Sequence, residues 1–276
     1  MESNAKENKS VRRQMKKSQR FLNLFLLGCV AYLLWYQWDS AREIKKNRKL
    51  QEIAWQEKEA ERKDETEEPA GINASLSSNE EETETQYLSG FDSLLAINPD
   101  LKGWITIPGT TLSLPVVQGK DNSYYLSHDF YGAKDRHGTI FADCEADFDG
   151  SEKNIVLYGH NMRDGSMFGG LKAYREEEYY REHASFFLYL PEEEREYEIL
   201  AVLRNDILPG EEELFQYYDY KQIESEEMFE EYYKEIKEHS LYPIETEARY
   251  GDELITLCTC DYGSKDQRLL VVGRKK

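Results

Sequence analysis

Short apolar runs separated by turn residues recur through the C-terminal two thirds of the chain. Dipeptides such as Pro108-Gly109 and Asp149-Gly150 lie between them and are typical of turns. Eight runs predict strands, at residues 104–107, 114–118, 138–142, 154–158, 186–190, 197–203, 253–260 and 268–273. Eight short strands with this punctuation favour a β-sandwich or a β-barrel, and the pattern alone does not choose between them.

One longer segment has helical rather than strand periodicity. Residues 225–239 place five apolar side chains on one helical face: Met228, Phe229, Tyr232, Tyr233 and Ile236. Ser225 is a candidate N-cap, so the segment predicts a helix whose apolar stripe packs on the strands. Shorter helices are predicted near residues 91–97 and 167–174.

An apolar segment near the N-terminus has a different character. Residues 21–38 form an uncharged run of 18 residues, which is long enough to span a bilayer as a helix. Trp35, Tyr36 and Trp38 crowd one end, as interfacial aromatic side chains do. A cleaved signal peptide is the alternative, but no small-x-small site follows the run. We predict an uncleaved signal anchor, with a small excess of basic residues before it that favours a cytoplasmic N-terminus.

The flanking segments complete the predicted domain organisation. Residues 1–20 form a basic cytoplasmic tail, and residues 39–86 form a charged stalk followed by a disordered linker rich in Ser, Asn, Thr and Glu. The folded domain is predicted to span residues 87–276 and to lie outside the cell.

Charge and cysteine usage exclude several classes of function. The formal net charge is −19, and −18 of it falls in residues 87–276, which argues against binding of nucleic acid. Cys258 and Cys260 are too close along one strand for an unstrained disulfide. The chain has no C-x-x-C pair for zinc. We therefore expect neither a disulfide framework nor a zinc site.

The last two predicted strands carry the candidate chemistry. One ends in Thr256-Leu257-Cys258-Thr259-Cys260, and the next begins at Arg268, so hairpin pairing would bring a thiol beside a guanidinium. His160 ends another apolar run. A thiol, a cation and a histidine form a nucleophilic-cysteine site, in which the histidine moves protons and the cation stabilises an oxyanion. Cys258 and Cys260 share one strand face, so the pattern leaves the choice of nucleophile open.

Three separated motifs resemble those of the sortases, the surface transpeptidases of Gram-positive bacteria. TLCTC resembles the TLxTC motif, YGHNM followed by DGSMFG resembles the histidine loop of class B, and Arg268 falls at the position of the family arginine. The resemblance implies a closed, mostly antiparallel eight-stranded β-barrel, with an N-terminal helix and a long helix before the cysteine strand. It also implies that Cys260 is the nucleophile and that Cys258 is a small buried side chain.

The resemblance further implies a set of roles and partners, and a reaction that needs no metal and no organic cofactor. His160 and Arg268 would complete the catalytic set, with Asp261 and Asn161 as candidate supporting residues. The substrates would be surface proteins with a C-terminal sorting signal of the Asn-Pro-Gln-Thr-Asn or x-Pro-x-Thr-Gly type, cleaved after Thr and joined to a peptidoglycan amine.

Three alternatives stay open at this point. The first is another sortase class, such as a pilin polymerase, although an Asp-Pro-Trp lid motif is missing from the sequence. The second is a cysteine hydrolase with a similar dyad. The third is a membrane-anchored surface binding module with an inert thiol.

Overall fold

The computed structural model describes residues 2–64, 90–150, 153–206, 216–260 and 267–276. Asp261, the predicted domain start at Tyr87 and most of the predicted loop at 262–267 therefore lie outside the described residues. The chain divides into two compact units, Met1–Lys46 and Asn47–Lys276. Helix α1 (Glu2–Asp64) contributes to both of them.

Within the described residues, one helical segment is long and apolar enough to cross a membrane. It is Lys17–Trp55, with a mean hydropathy of 1.4 in its most apolar window. The large side chains of the predicted anchor are exposed, including Phe21 and Leu27. Length and composition are thus compatible with the predicted span, and a signal sequence would meet the same criteria.

Eight strands form a closed barrel in the second unit. They are β1 (Leu101–Thr106), β2 (Ser113–Val117), β3 (Ile140–Ala142), β4 (Asn154–His160), β5 (Ser185–Tyr189), β6 (Glu194–Asp206), β7 (Leu254–Cys260) and β8 (Gln267–Lys275). Their order around the barrel is β1-β2-β3-β4-β7-β8-β6-β5. The structure confirms the closed eight-stranded barrel. Among the described pairs, β2/β3 and β4/β7 are parallel and the others are antiparallel.

Helices flank the barrel at several points. The α-helices that lie wholly within the described part of the second unit are α2 (Phe91–Ile97), α3 (Glu177–Glu182) and α4 (Glu226–Glu238). Short 3-10 helices span Tyr124–Leu126, Phe168–Arg175 and Tyr217–Tyr220. The helix predicted near residues 167–174 is present, but with 3-10 geometry.

Helix α4 forms for the reasons visible in its sequence. The Ser225 side chain caps it by accepting a hydrogen bond from the Met228 amide at 3.2 Å. Phe229, Tyr232 and Ile236 are fully buried on one face. They pack against the outer surface of β6, β7 and β8 in a cluster that includes Cys258. The helix thereby covers the outside of the strand that ends at Cys260.

The remaining core divides between the barrel interior and a second outer face. The interior is filled by aliphatic and aromatic side chains from all eight strands and from the Phe168–Arg175 helix. The second outer face is covered by α2 and by Leu50 and Ala54, which belong to the C-terminal part of α1. A barrel packed on the inside and on both of these faces gives its strand ends a rigid base.

Candidate active site

Two predicted site residues lie side by side at the ends of neighbouring strands. Strands β4 and β7 run parallel from Asn154 opposite Leu254 to His160 opposite Cys260. Both strands end at this pair, so the two residues share one rim of the barrel. Only the backbone of Cys260 is described.

The imidazole of His160 is buried and held in one orientation. Its Nε2 lies 2.6 Å from the carbonyl oxygen of Leu126. Because a carbonyl can only accept, Nε2 carries a proton. In the neutral ring, Nδ1 is then the nitrogen that exchanges a proton with a reacting group. Leu126 itself is held by hydrogen bonds of the adjoining backbone, from Thr139 to Tyr125 and from Asp135 to Ser127.

The loop that follows His160 is tightly built. Asn161 pairs with Met167 in an isolated β-bridge, which closes the loop at its base. Asp164 accepts hydrogen bonds from the amide and hydroxyl of Ser166, at 3.1 and 2.7 Å. The buried His137 ring lies between two carboxylates, with Nδ1 2.8 Å from Asp135 and Nε2 3.8 Å from Asp164. These contacts link the histidine loop to the segment before β3.

Gly159 permits the close packing beneath His160. A Cβ at this position would lie 2.4 Å from Cδ1 of Ile140 and 2.7 Å from the ring of Phe168. Both neighbours are buried in the barrel interior. Glycine is therefore required for β4 to approach the Phe168–Arg175 helix so closely.

Arg268 lies at the start of β8, beside the end of β7. The two strands pair with Cys258 opposite Leu270, and Arg268 and Cys260 each lie two residues further toward the same rim. The Arg268 Nη1 donates to the phenol oxygen of Tyr217 at 2.8 Å. The Cys258 thiol lies 3.2 Å from the same oxygen. Cys258 is fully buried, as the sequence predicted.

A groove of about 440 Å³ opens next to this rim. It is lined by Asn122, Leu126, Phe141, Asp143, Tyr158, Tyr217, Tyr218, Lys221 and Arg268. Leu126 connects the groove to His160, and Arg268 connects it to the end of β7. The groove thus borders Arg268 directly and adjoins His160 through the Leu126 carbonyl.

A buried carboxylate gathers several of the side chains that line the groove. Asp143 is 1% exposed and accepts hydrogen bonds from Asn122 at 3.0 Å and from the Tyr158 hydroxyl at 3.2 Å. It also accepts from Lys221 at 3.2 Å. Partial burial alone would lower the pKa of Lys221, but the hydrogen bonds to Glu145 and Asp143 outweigh it and raise that pKa. Lys221 therefore stays charged.

Most of the barrel matches the model of one known protein family. A family model described as the sortase domain matches residues 105–276. The chain belongs to the sortase family. The sortases are cysteine transpeptidases, and the three sequence motifs noted above all lie within the matched region.

The individual proteins that this chain resembles in sequence are class B sortases. Sortase B of Listeria monocytogenes is 36% identical over 172 residues, which cover 61% of this chain and 65% of that protein. The chain thus spans slightly less than two thirds of the length of that relative.

Solved structures give the same result. Sortase B from B. anthracis, determined in complex with AAEK1, is 29% identical, with a TM-score of 0.64, and the match covers 86% of this chain and 97% of that one. Sortase B from Clostridium perfringens is 32% identical, with a TM-score of 0.59 and coverage of 67% and 98%. These matches confirm the predicted class and the predicted barrel.

Three contributors to this sortase site were missed from the sequence. The carbonyl of Leu126 is a backbone atom, and Asp143 and Tyr217 carry no motif. Asp261 lies outside the described residues, and the supporting role of Asn161 remains a prediction.

Proposed function

We propose that this sortase is a membrane-anchored transpeptidase that joins surface proteins to the cell wall. Its substrates would carry a C-terminal sorting signal of the Asn-Pro-Gln-Thr-Asn or x-Pro-x-Thr-Gly type. The observation that supports this most directly is the register of β4 and β7, which sets Cys260 opposite His160 at one barrel rim. The adjacent groove provides room for an extended peptide.

In the proposed reaction, the Cys260 thiol gives its proton to Nδ1 of His160, and its sulfur attacks the carbonyl carbon of the signal threonine. The carbonyl oxygen becomes an oxyanion, which Arg268 stabilises with its permanent charge. The C–N bond then breaks, and His160 gives its proton to the departing amine. The product is a thioester between Cys260 and the threonine of the surface protein.

The second half of the reaction mirrors the first. An amine of the peptidoglycan attacks the thioester, and His160 accepts the proton that the amine loses. A new amide forms as the C–S bond breaks, and His160 returns the proton to the released Cys260 thiolate. The proposed acid–base role agrees with the proton on Nε2 of His160, because that arrangement leaves Nδ1 for the reaction.

The membrane assignment is part of the same proposal. Residues 21–38 would anchor the protein as a single span, with a cytoplasmic N-terminus and the barrel facing the cell wall. Protease treatment of intact protoplasts tests the orientation. Digestion of the barrel from outside is expected, and its protection would contradict the proposed topology.

Intact-mass spectrometry of the full-length protein in detergent tests the chemistry. The protein is incubated with sorting-signal peptides of both types and no amine. We expect unmodified protein and Cys258→Ala to gain the mass of an acyl fragment ending in threonine, and Cys260→Ala to gain nothing. If Cys258→Ala loses the adduct and Cys260→Ala keeps it, the nucleophile is Cys258 and the assignment to Cys260 is wrong.

A second arm of the test separates the alternatives. Adding triglycine or a lysine peptide should convert the adduct to a ligated product. Formation of only the free acid would indicate a hydrolase, and preference for a lysine in a pilin-like peptide would indicate a polymerising sortase. Absence of an adduct with every peptide would favour a binding module.

A further inference from the structure

The Tyr217 phenol joins two residues that flank the candidate nucleophile. Its oxygen accepts from Nη1 of Arg268 at 2.8 Å, and the guanidinium carbon lies 5.9 Å from the centre of its ring. The Cys258 thiol donates to the same oxygen at 3.2 Å. A phenol oxygen has two lone pairs, so these two donors use its full capacity to accept.

The phenol is a rigid anchor. Tyr217 is 1% exposed and begins the 3-10 helix Tyr217–Tyr220. Its ring packs edge-on against Tyr218, with centroids 5.4 Å apart, and it belongs to the cluster beneath α4. An arginine side chain has many rotamers, which correspond to about 2 kcal/mol of rotamer entropy. A hydrogen bond to a fixed partner therefore restricts the direction in which the guanidinium points.

The chemistry of the partner also matters. Burial raises the pKa of Tyr217 far above its ordinary value, and the nearby Cys258 adds to the effect. The phenol is therefore neutral. A carboxylate in its place would orient the guanidinium but would also offset its positive charge. A neutral acceptor fixes the direction of Arg268 and leaves that charge to act on a developing oxyanion.

We propose that Tyr217 is a positioning residue that orients the Arg268 guanidinium toward the reacting carbonyl, with Cys258 holding the phenol from its other side. This inference rests on the proposed function, in which Arg268 stabilises the oxyanion. It assigns a task to Cys258, which the motif leaves variable. Tyr217 comes from the segment between β6 and α4, so the proposal ties that segment to the barrel rim.

The decisive variant is Tyr217→Phe, which keeps the ring and removes the oxygen. Its matched control is Tyr232→Phe. Tyr232 is also a fully buried phenol in the same cluster, and its oxygen lies 3.3 Å from both Asn154 and Thr256, away from the groove. Both variants lose a buried hydroxyl, but only Tyr217→Phe loses a contact with Arg268.

The readout is the rate of acyl-adduct formation in full-length protein, measured by mass spectrometry over a range of peptide concentrations. We expect Tyr217→Phe to lower the maximal rate about 10- to 100-fold, while the half-saturating concentration changes by less than about threefold. Tyr232→Phe should stay within about twofold of unmodified protein in both quantities. Cys258→Ala should show a smaller loss than Tyr217→Phe.

A double-mutant cycle separates positioning from a general structural effect. In an Arg268→Ala background, Tyr217→Phe should change the residual rate by less than about twofold, because its target is gone. An equal loss in both backgrounds would overturn the proposal, as would an unchanged maximal rate or a change confined to half-saturation. If unmodified protein forms no adduct, the proposed function itself fails and this inference fails with it.

Discussion

Replacing Gly159 by alanine tests how closely the barrel core is coupled to His160, the proposed acid–base residue. The new methyl group would lie 2.4 Å from Cδ1 of Ile140 and 2.7 Å from the Phe168 ring. Contacts below about 3 Å do not persist, so something must move. Phe168 is fully buried and Ile140 is 1% exposed, so neither side chain can turn out into solvent.

The size of the effect follows from this packing. Inserting a methyl group into a well-packed core costs typically about 1–3 kcal/mol. For a unit of this size, each kcal/mol lowers Tm by about 2–4 °C, so the expected fall is about 2–12 °C. His160 is the next residue along β4, and a displacement near 1 Å would lower the rate of adduct formation by about 100-fold.

A neighbouring glycine supplies the control. The nearest atom to a Cβ at Gly170 would be the carbonyl oxygen of Gly165 at 3.6 Å, which is an ordinary contact. Gly170→Ala should therefore leave Tm unchanged or raise it slightly. Thermal unfolding followed by near-UV circular dichroism gives both values. Equal Tm for Gly159→Ala, Gly170→Ala and unmodified protein would refute the packing argument.

Three further predictions concern separate contacts. Ser225→Ala should destabilise the protein by about 1 kcal/mol in urea unfolding through loss of the α4 cap, whereas Ser225→Asp should retain most of the stability. Asp143→Ala should lower the free energy of unfolding by about 1–3 kcal/mol, because Lys221 and the other donors to this carboxylate lose their shared acceptor. Because these donors line the groove, the same change should raise the half-saturating peptide concentration. Partial burial opposes the shift at Glu193, but hydrogen bonds from Lys275 and Arg195 lower its pKa below the ordinary 4.5. Its contribution to stability is therefore present above about pH 4.5 and is lost as the pH falls through the lowered pKa, so Glu193→Gln should flatten the acid limb of the stability profile.

The sequence predicted local elements well because their signals are local. All eight strands occur where apolar runs were found, and α4 begins after the predicted cap. Strand pairing was less accessible. The parallel pairs β2/β3 and β4/β7 join segments that are not hairpin neighbours, so periodicity cannot reveal them. Closure into a barrel was implied by family resemblance and not by the pattern.

The candidate site was predictable only where a motif marks it. His160 and Arg268 stand in recognisable stretches. Tyr217 is 51 positions from Arg268, and their contact exists only because β8 and the segment before α4 meet in space. The Leu126 carbonyl is a backbone group, and any residue type provides one. Such positioning contacts depend on the tertiary fold, so sequence reasoning without an alignment does not reach them.

The parallel pairing of β4 with β7 has a consequence for folding. It joins His160 to Cys260 across about 100 intervening residues, and β8, the last strand, must still insert between β7 and β6. Contacts of such long range form slowly, since the loop must be closed before the pairing contributes any stabilisation. His160 and Cys260 therefore become neighbours only after the long segment between β4 and β7 has been closed into a loop. Until then, the edge of β7 that pairs with β4 stays open, and unpaired apolar strand edges favour aggregation.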